Sequence, residues 1–266
     1  MTRIRLIMLS LLAVFAVGAV ASASASAACS AEGGDTAPLY CLNNEKDGQI
    51  GTTGLDEGGG EAEFHSAGTT VFTLTAGTIV IECKKETDSG KIFQQDSKIG
   101  RNSDVEVVFT ECIVKGFPKC IVQDSVNKKA GTIIVGPEID SELKANAGKI
   151  YDVLFPSGGE TEPFVTLEIL KKGTETCLVP EGQYPVTGEA CGETNSEQKV
   201  KSPLTFSKTI EEACKAAKPL MLKKVAAFLN GTSTQELVGE AEVENELTGK
   251  LEKIKVTGLT WGTTVS

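Results

Sequence analysis

The residues with the most definite chemistry in this sequence are its eight cysteines, an even number. They stand at Cys29, Cys41, Cys83, Cys112, Cys120, Cys177, Cys191 and Cys214. The sequence contains no C-x-x-C pair of the kind found in zinc sites. A catalytic thiol needs a nearby base, and the chain has only 1 histidine that could serve as one. We therefore expect four structural disulfides and no metal or other cofactor.

The cysteine spacing suggests partners. Cys112 and Cys120 flank a short segment that contains Gly116 and Pro118, residues typical of a turn. This pattern predicts a disulfide that closes a hairpin.

The other pairs are less constrained by spacing. Cys29 and Cys41 lie apart from the rest and enclose a glycine-containing segment, so we expect them to pair locally. The remaining four cysteines leave two arrangements, of which we prefer the first: Cys83–Cys177 with Cys191–Cys214, or a Cys177–Cys191 pair.

The single histidine, His65, limits the possible catalysis. A Ser-His-Asp triad would have to use it, but the sequence has no G-x-S-x-G elbow. Zincin-type metalloproteases need two histidines on one helix, which excludes this class. The sequence also lacks the two glycine-rich motifs that bind nucleotides, G-x-x-x-x-G-K-[ST] and G-x-G-x-x-G. We expect His65 to be exposed or simply hydrogen-bonded.

Acidic residues could serve calcium binding. The first positions of an EF-hand calcium loop are matched by Asn43, Glu45, Asp47 and Gly48. The last position of such a loop is a bidentate glutamate, and here it is Gly54. A polar turn is the simpler interpretation.

Acidic residues could also cleave glycosidic bonds, which takes two carboxyl groups at a defined separation. The sequence singles out no pair among its 36 acidic residues. Aromatic residues make up 5% of the chain and Trp261 is its 1 tryptophan, which weakens the case for a sugar-stacking platform.

The charge of the chain indicates which partners to expect. The formal net charge is −10, and the lysines occur as scattered pairs and not as one patch. This distribution argues against nucleic acid and anionic membranes as partners.

These residues must be positioned mostly by strands. Short segments rich in Val, Ile, Thr and Phe recur between glycine turns, with turns expected at Ala76-Gly77 and Asn230-Gly231. The pattern predicts an all-β, mostly antiparallel fold: a disulfide-stapled sandwich or open barrel with one or two short helices. The helix candidates are residues 207–218, with Ser207 as N-cap, and residues 141–147.

The N-terminal residues 1–28 have the three parts of a cleavable signal peptide. Two arginines precede an apolar run at residues 6–20, and small residues follow at 21–28. A lipid anchor on Cys29 is a lesser alternative, because Ser26 occupies the place of the branched aliphatic residue in a lipobox. We expect no membrane segment after cleavage, and a mature formal charge of −12 because residues 1–28 contain two arginines and no acid.

The mature chain then divides by composition. Residues 29–60 are polar and rich in glycine, which predicts an N-terminal arm. Residues 61–266 carry the strand pattern and are expected to form one β-rich domain or two packed sub-domains.

Three stretches carry a resemblance to known proteins: residues 72–83, 108–120 and 141–150. Together they resemble a group of uncharacterised exported, β-rich proteins of soil actinobacteria, over roughly residues 61–262. The resemblance implies the architecture and extracellular location, and it implies no activity or site residue.

The function expected from these features is a secreted or cell-surface, non-enzymatic β protein with a structural or binding role. Its partner is unassigned, with the cell wall, an extracellular protein or a glycan as candidates. One alternative is an exported carboxylate-dependent hydrolase, which predicts a deep pocket with two facing acids. The other is an extracellular protease inhibitor that presents the Cys112–Cys120 loop.

Overall fold

A computed structural model describes residues 38–46, 49–54, 61–95, 99–159, 162–194, 199–245 and 250–264. Strands dominate these residues, and the all-β prediction is confirmed. The strands are β1 (Leu39–Lys46), β2 (Gln49–Gly54), β3 (Ala62–Gly68), β4 (Phe72–Ala76), β5 (Ile79–Gln95), β6 (Ile99–Val114), β7 (Cys120–Asp124), β8 (Thr132–Asn146), β9 (Lys149–Pro156), β10 (Val165–Lys171), β11 (Gly182–Thr187), β12 (Ala190–Thr194), β13 (Lys201–Phe206), β14 (Met221–Leu222), β15 (Val225–Val238), β16 (Glu240–Asn245), β17 (Lys250–Lys255) and β18 (Thr260–Thr264).

Eight of these strands pair in a closed ring. The order is β13-β12-β9-β8-β6-β5-β3-β15, and β15 pairs again with β13, all antiparallel. The closing contact runs from Lys201 opposite Glu236 to Phe206 opposite Gly231. We call this set the strand ring.

The sheet extends beyond the ring because β5 and β15 are longer than the strands between them. Beyond the end of β3, β4 pairs with both β5 and β15. The first residues of β15 pair with β14, and the sheet continues from β14 through β11 and β10 to β7. The whole is therefore one extended antiparallel sheet that closes on itself in part, and not a simple barrel.

Inside and outside alternate along the ring strands, as expected when only one face is buried. In β3, Ala62, Phe64 and Ser66 are buried, while Glu63 and His65 are exposed. The lone histidine thus faces away from the core, as the sequence predicted.

Two smaller sheets complete the fold. Strand β1 pairs with β2 and β18, and β16 pairs with β17. Tyr40 of β1 and Trp261 of β18 are buried with ring centroids 5.9 Å apart, and both join the main core. Part of the segment predicted as an arm therefore forms strands that pack on the core.

The described residues contain one helix, α1 (Lys208–Cys214). Ser207 caps it as predicted, since its Oγ accepts a hydrogen bond of 3.2 Å from Ile210 N. The part of the chain that the structure describes has no helix long and apolar enough to cross a membrane.

Two local predictions are wrong. Residues 141–146 form the end of β8 instead of a helix, because β9 pairs with them along their length, and Ala147 lies in the turn that follows. Asn230-Gly231 is not a turn, because both residues lie within β15. At this point β15 changes its partner strand: Asn230 pairs with β4 and Gly231 pairs with β13.

The disulfides bear out one predicted pair and correct two others. Cys191–Cys214 is present, as predicted, and ties β12 to the end of α1. The other two joined pairs are Cys83–Cys112 and Cys120–Cys177. The predicted pairs Cys112–Cys120 and Cys83–Cys177 are wrong, as is the alternative Cys177–Cys191.

The physical reason is strand pairing. Cys83 and Cys112 lie directly opposite each other on β5 and β6. After the turn at Gly116, β7 pairs with β10, which places Cys120 opposite Lys171 and beside the loop that carries Cys177. Cys41 is disulfide-bonded, but the predicted Cys29–Cys41 pair involves a residue outside the described ones.

Candidate functional site

The interior of the strand ring contains a cavity of about 120 Å³. Its walls are mostly apolar side chains from strands all around the ring and from the adjoining β10 and β11. Representative wall residues are Phe64, Phe72, Val105, Val107, Ile139, Leu167 and Leu204.

Three acids interrupt this apolar wall: Glu86 and Asp88 of β5 and Asp152 of β9. Glu86 is 4% exposed and Asp152 is 2% exposed. Asn102, Ser233 and Gln235 also line the cavity and are buried. We call Glu86, Asp88 and Asp152 the acid cluster.

One hydrogen bond positions Asp152. Asn102 Nδ2 donates to Asp152 Oδ2 at 2.9 Å. The other oxygen, Asp152 Oδ1, is buried and has no hydrogen-bond partner, and the same holds for Glu86 Oε2 and Asp88 Oδ1. Most buried polar atoms in proteins are paired, so three unpaired acceptors around one cavity need an explanation.

The local environment disfavours ionised carboxyl groups here. Burial raises the pKa of Glu86 to about 9, and the negative charge of Asp88 acts in the same direction. Burial also raises the pKa of Asp88 above its ordinary value. Burial raises the pKa of Asp152 to about 6, while the neighbouring polar side chains of Ser141 and Asn102 act in the opposite direction.

No basic side chain compensates these acids within the described part of the chain. The residues that line the cavity include no Lys, Arg or His, and no described ion pair involves Glu86, Asp88 or Asp152. His65 acts on Asp88 only electrostatically, from an exposed position on β3.

Two irregularities in the sheet bring Glu86 and Asp88 inside. Strict alternation from the buried Cys83 would place residues 85 and 87 inside, but Lys84 and Lys85 are both exposed and Glu86 is buried. On the partner strand, Glu111 has a left-handed φ of 56° and pairs with Lys85 Nζ at 2.6 Å on the outer surface. The inward face of β5 is thereby shifted by one residue.

A second residue with a left-handed φ changes the inward face of β6 at another point. Asp104 has a φ of 53°, and the register between β6 and β8 shifts between Asn102 and Val105. Both Asn102 and Val105 consequently face the cavity although they are three residues apart. These reversals are invisible to a period-2 pattern, which is why the sequence singled out none of these acids.

The other sequence candidates lie elsewhere. The calcium-like segment falls on β1 and β2 and on residues 47–48, which are outside the described residues, as are the side chains of Asn43 and Glu45. Among the described residues no three His, Cys, Asp or Glu side chains are arranged to hold a metal ion.

Comparison with protein-family models, curated proteins and solved structures finds no match to this chain. The cavity and its acid cluster are therefore the features of the molecule that indicate a function.

Proposed function

We propose that this protein is an extracellular binding protein that holds one small, mostly apolar molecule inside the strand ring. The observation that carries the proposal is the cavity of about 120 Å³ with an apolar wall and three unpaired carboxyl oxygens. An engineered apolar cavity of about 150 Å³ binds benzene, so the size fits a molecule of roughly one ring.

The cavity would be costly without a ligand. Protein cores are packed almost without voids, and empty volume in a core costs roughly 24 cal/mol per Å³. A purely structural role would favour a filled ring, whereas a bound molecule offsets the cost.

The extracellular location is supported by the covalent structure. Cys83–Cys112, Cys120–Cys177 and Cys191–Cys214 are disulfides, and such bonds persist mainly in oxidising compartments. The signal-like residues 1–28 agree with that location.

The hydrolase alternative would use the same acids. A glycosidase places its two carboxyl groups on either side of the bond between two sugar rings. A cavity with room for about one ring leaves no space for that substrate, so binding is the better-supported function. The inhibitor alternative loses its basis, because the Cys112–Cys120 loop is not closed by a disulfide.

The proposal is tested with toluene as the probe, added to the oxidised secreted protein during thermal unfolding. Toluene should raise the Tm of the wild type, because a ligand that binds only the folded state stabilises it. Val107→Phe, which fills the cavity, should abolish the increase. Val126→Phe is the matched control, because Val126 is 85% exposed on a loop and should leave the increase intact.

Two results would contradict the proposal. One is an unchanged Tm of the wild type at saturating toluene. The other is an equal increase in Val107→Phe and in the wild type. Hydrolysis of a glycoside by the wild type, lost in Asp152→Asn, would instead support the hydrolase.

A further inference from the structure

We infer that the ligand of this cavity carries a protonated amine, which binds against Glu86, Asp88 and Asp152. The inference rests on the proposed function and adds the charge and the chemical class of the ligand: a small organic ammonium ion with an apolar body. Its basis is the placement of unpaired acceptors in an otherwise apolar cavity without a basic side chain.

The acceptors match the donors of an ammonium group. A primary ammonium has three N–H donors and no acceptor. Three buried carboxyl oxygens of the acid cluster, Glu86 Oε2, Asp88 Oδ1 and Asp152 Oδ1, have no donor N–H or hydroxyl group as a partner, and Glu86 and Asp88 interact with each other. All three belong to side chains that line the same cavity. The apolar wall then fits the hydrocarbon part of the same molecule.

The charge balance points to a cation. Buried acids are stabilised by an opposite charge or by protonation. No described basic side chain neutralises this cluster, and the described residues offer no set of ligands for a metal ion. Without a cation, protonation can fill this role: burial raises the pKa of Glu86 to about 9, so this carboxyl group keeps its proton at neutral pH, and it raises the pKa of Asp152 to about 6, so this group is protonated at lower pH. An organic cation can replace the protons.

This replacement makes binding depend on pH. An aliphatic amine stays protonated between pH 5 and 8. As it binds, the acid cluster must release the protons that it holds, so the affinity should rise with pH. The charged and titratable groups that act on the cluster lie on two other elements and on its own strands: Tyr40 of β1, His65 on the outer face of β3, Glu86 and Asp88 of β5, and Asp152 of β9.

The experiment is isothermal titration calorimetry of the oxidised protein with three probes of similar size: benzylamine, benzyl alcohol and toluene. At pH 8 benzylamine should bind at least tenfold more tightly than benzyl alcohol. Its affinity should fall at least fivefold at pH 5. Titrations in two buffers of different ionisation enthalpy should show that benzylamine binding releases protons and that toluene binding releases none.

Two variants test the cluster itself. Asp152→Asn and Glu86→Gln keep the shape of the side chains and remove their ability to ionise. Each should reduce the preference for benzylamine over benzyl alcohol by at least fivefold while toluene still binds. Toluene binding also shows that each variant is folded, and either variant alone suffices for the test.

Glu211→Gln is the matched control. Glu211 is a half-buried acid whose pKa burial raises to about 7, but it lies on α1, accepts a hydrogen bond of 3.2 Å from Cys191 N and does not line the cavity. Its replacement should leave the preference for benzylamine unchanged.

The outcomes separate the two proposals. If toluene and benzylamine both fail to bind, the proposed function is wrong and the inference falls with it. If toluene binds but benzylamine binds no better than benzyl alcohol, only the inference is wrong. An unchanged preference in Asp152→Asn and Glu86→Gln would likewise overturn the inference alone.

Discussion

Asn102 and Asp152 are joined by a 2.9 Å hydrogen bond that crosses β8 on the inner face of the strand ring. Asn102 belongs to β6 and Asp152 to β9, and β8 lies between these strands in the sheet. The bond therefore links two strands that share no backbone pairing. Because it uses only one oxygen of Asp152, it holds the carboxyl group in place and leaves the other oxygen available in the cavity.

Loss of this bond should destabilise the protein. We expect Asn102→Leu to lower the free energy of unfolding by about 1–3 kcal/mol, because Asp152 Oδ2 would be buried without a donor. Urea unfolding at pH 7 with intact disulfides measures the change. The double variant Asn102→Leu with Asp152→Leu removes both partners and should cost less than the single variant. A double variant that costs more would contradict this account.

Glu86 should make stability fall as pH rises. Its pKa is raised to about 9 in the folded protein against an ordinary 4.5, so the folded state holds a proton that the unfolded state has lost. The contribution is fully present below about pH 4.5 and is lost as the pH rises through about 9. For one proton the slope reaches about 1.4 kcal/mol per pH unit.

Urea unfolding of the wild type and Glu86→Gln between pH 6.5 and 8.5 tests this sign. In that window Asp152, with a pKa of about 6, has largely finished its own titration. We expect a falling free energy of unfolding in the wild type and a flatter profile in the variant. Parallel profiles would show that Glu86 is not the group responsible.

The disulfides should also be visible in peptide mapping. Trypsin cleaves after Lys115 and Lys119, which separates Cys112 from Cys120. Without reduction, the Cys112 peptide should remain linked to the Cys83 peptide. The Cys120 peptide should be linked to the peptide of residues 173–199, which contains both Cys177 and Cys191 and should also carry the Cys214 peptide. A Cys112–Cys120 link would contradict the observed pairing.

Removal of a disulfide gives a second measure. The Cys120–Cys177 bond closes a loop with a sequence separation of 57 residues. We expect replacement of both cysteines by serine to lower the free energy of unfolding by about 4 kcal/mol, through greater freedom of the unfolded chain. Urea unfolding of the double serine variant provides the value.

Local sequence patterns were sufficient to predict many of the strands and the helix, but they were insufficient to predict which residues line the cavity. The Ser207 cap and the hairpin at Ala76-Gly77 depend on neighbouring residues, and both predictions are confirmed. The ring closure is not local, since it pairs Phe206 with Gly231 only after an intervening helix and strand. The site depends on reversals of the inward face near Glu111, which no alternation pattern contains.

The close approach of β6 and β8 depends on Gly136, and this position provides the last prediction. Gly136 has a φ of 106°, a region that side chains rarely adopt. A Cβ there would collide with the carbonyl oxygen of Val105 and would lie 3.0 Å from Glu106 Cα. Both are backbone atoms that cannot move without displacing β6, and Val105 also lines the cavity.

We therefore expect Gly136→Ala to combine two costs, backbone strain and displacement of a strand, and to lower the free energy of unfolding by about 3 kcal/mol or more. Gly148→Ala is the matched control, because Gly148 also has a positive φ, 76°, but an added Cβ meets nothing within 4 Å. Its cost should be about 1 kcal/mol, from strain alone. Urea unfolding compares the two. Equal costs would mean that the contact with Val105 adds nothing, whereas a larger cost for Gly136→Ala, together with weaker toluene binding, would tie this contact to the shape of the cavity.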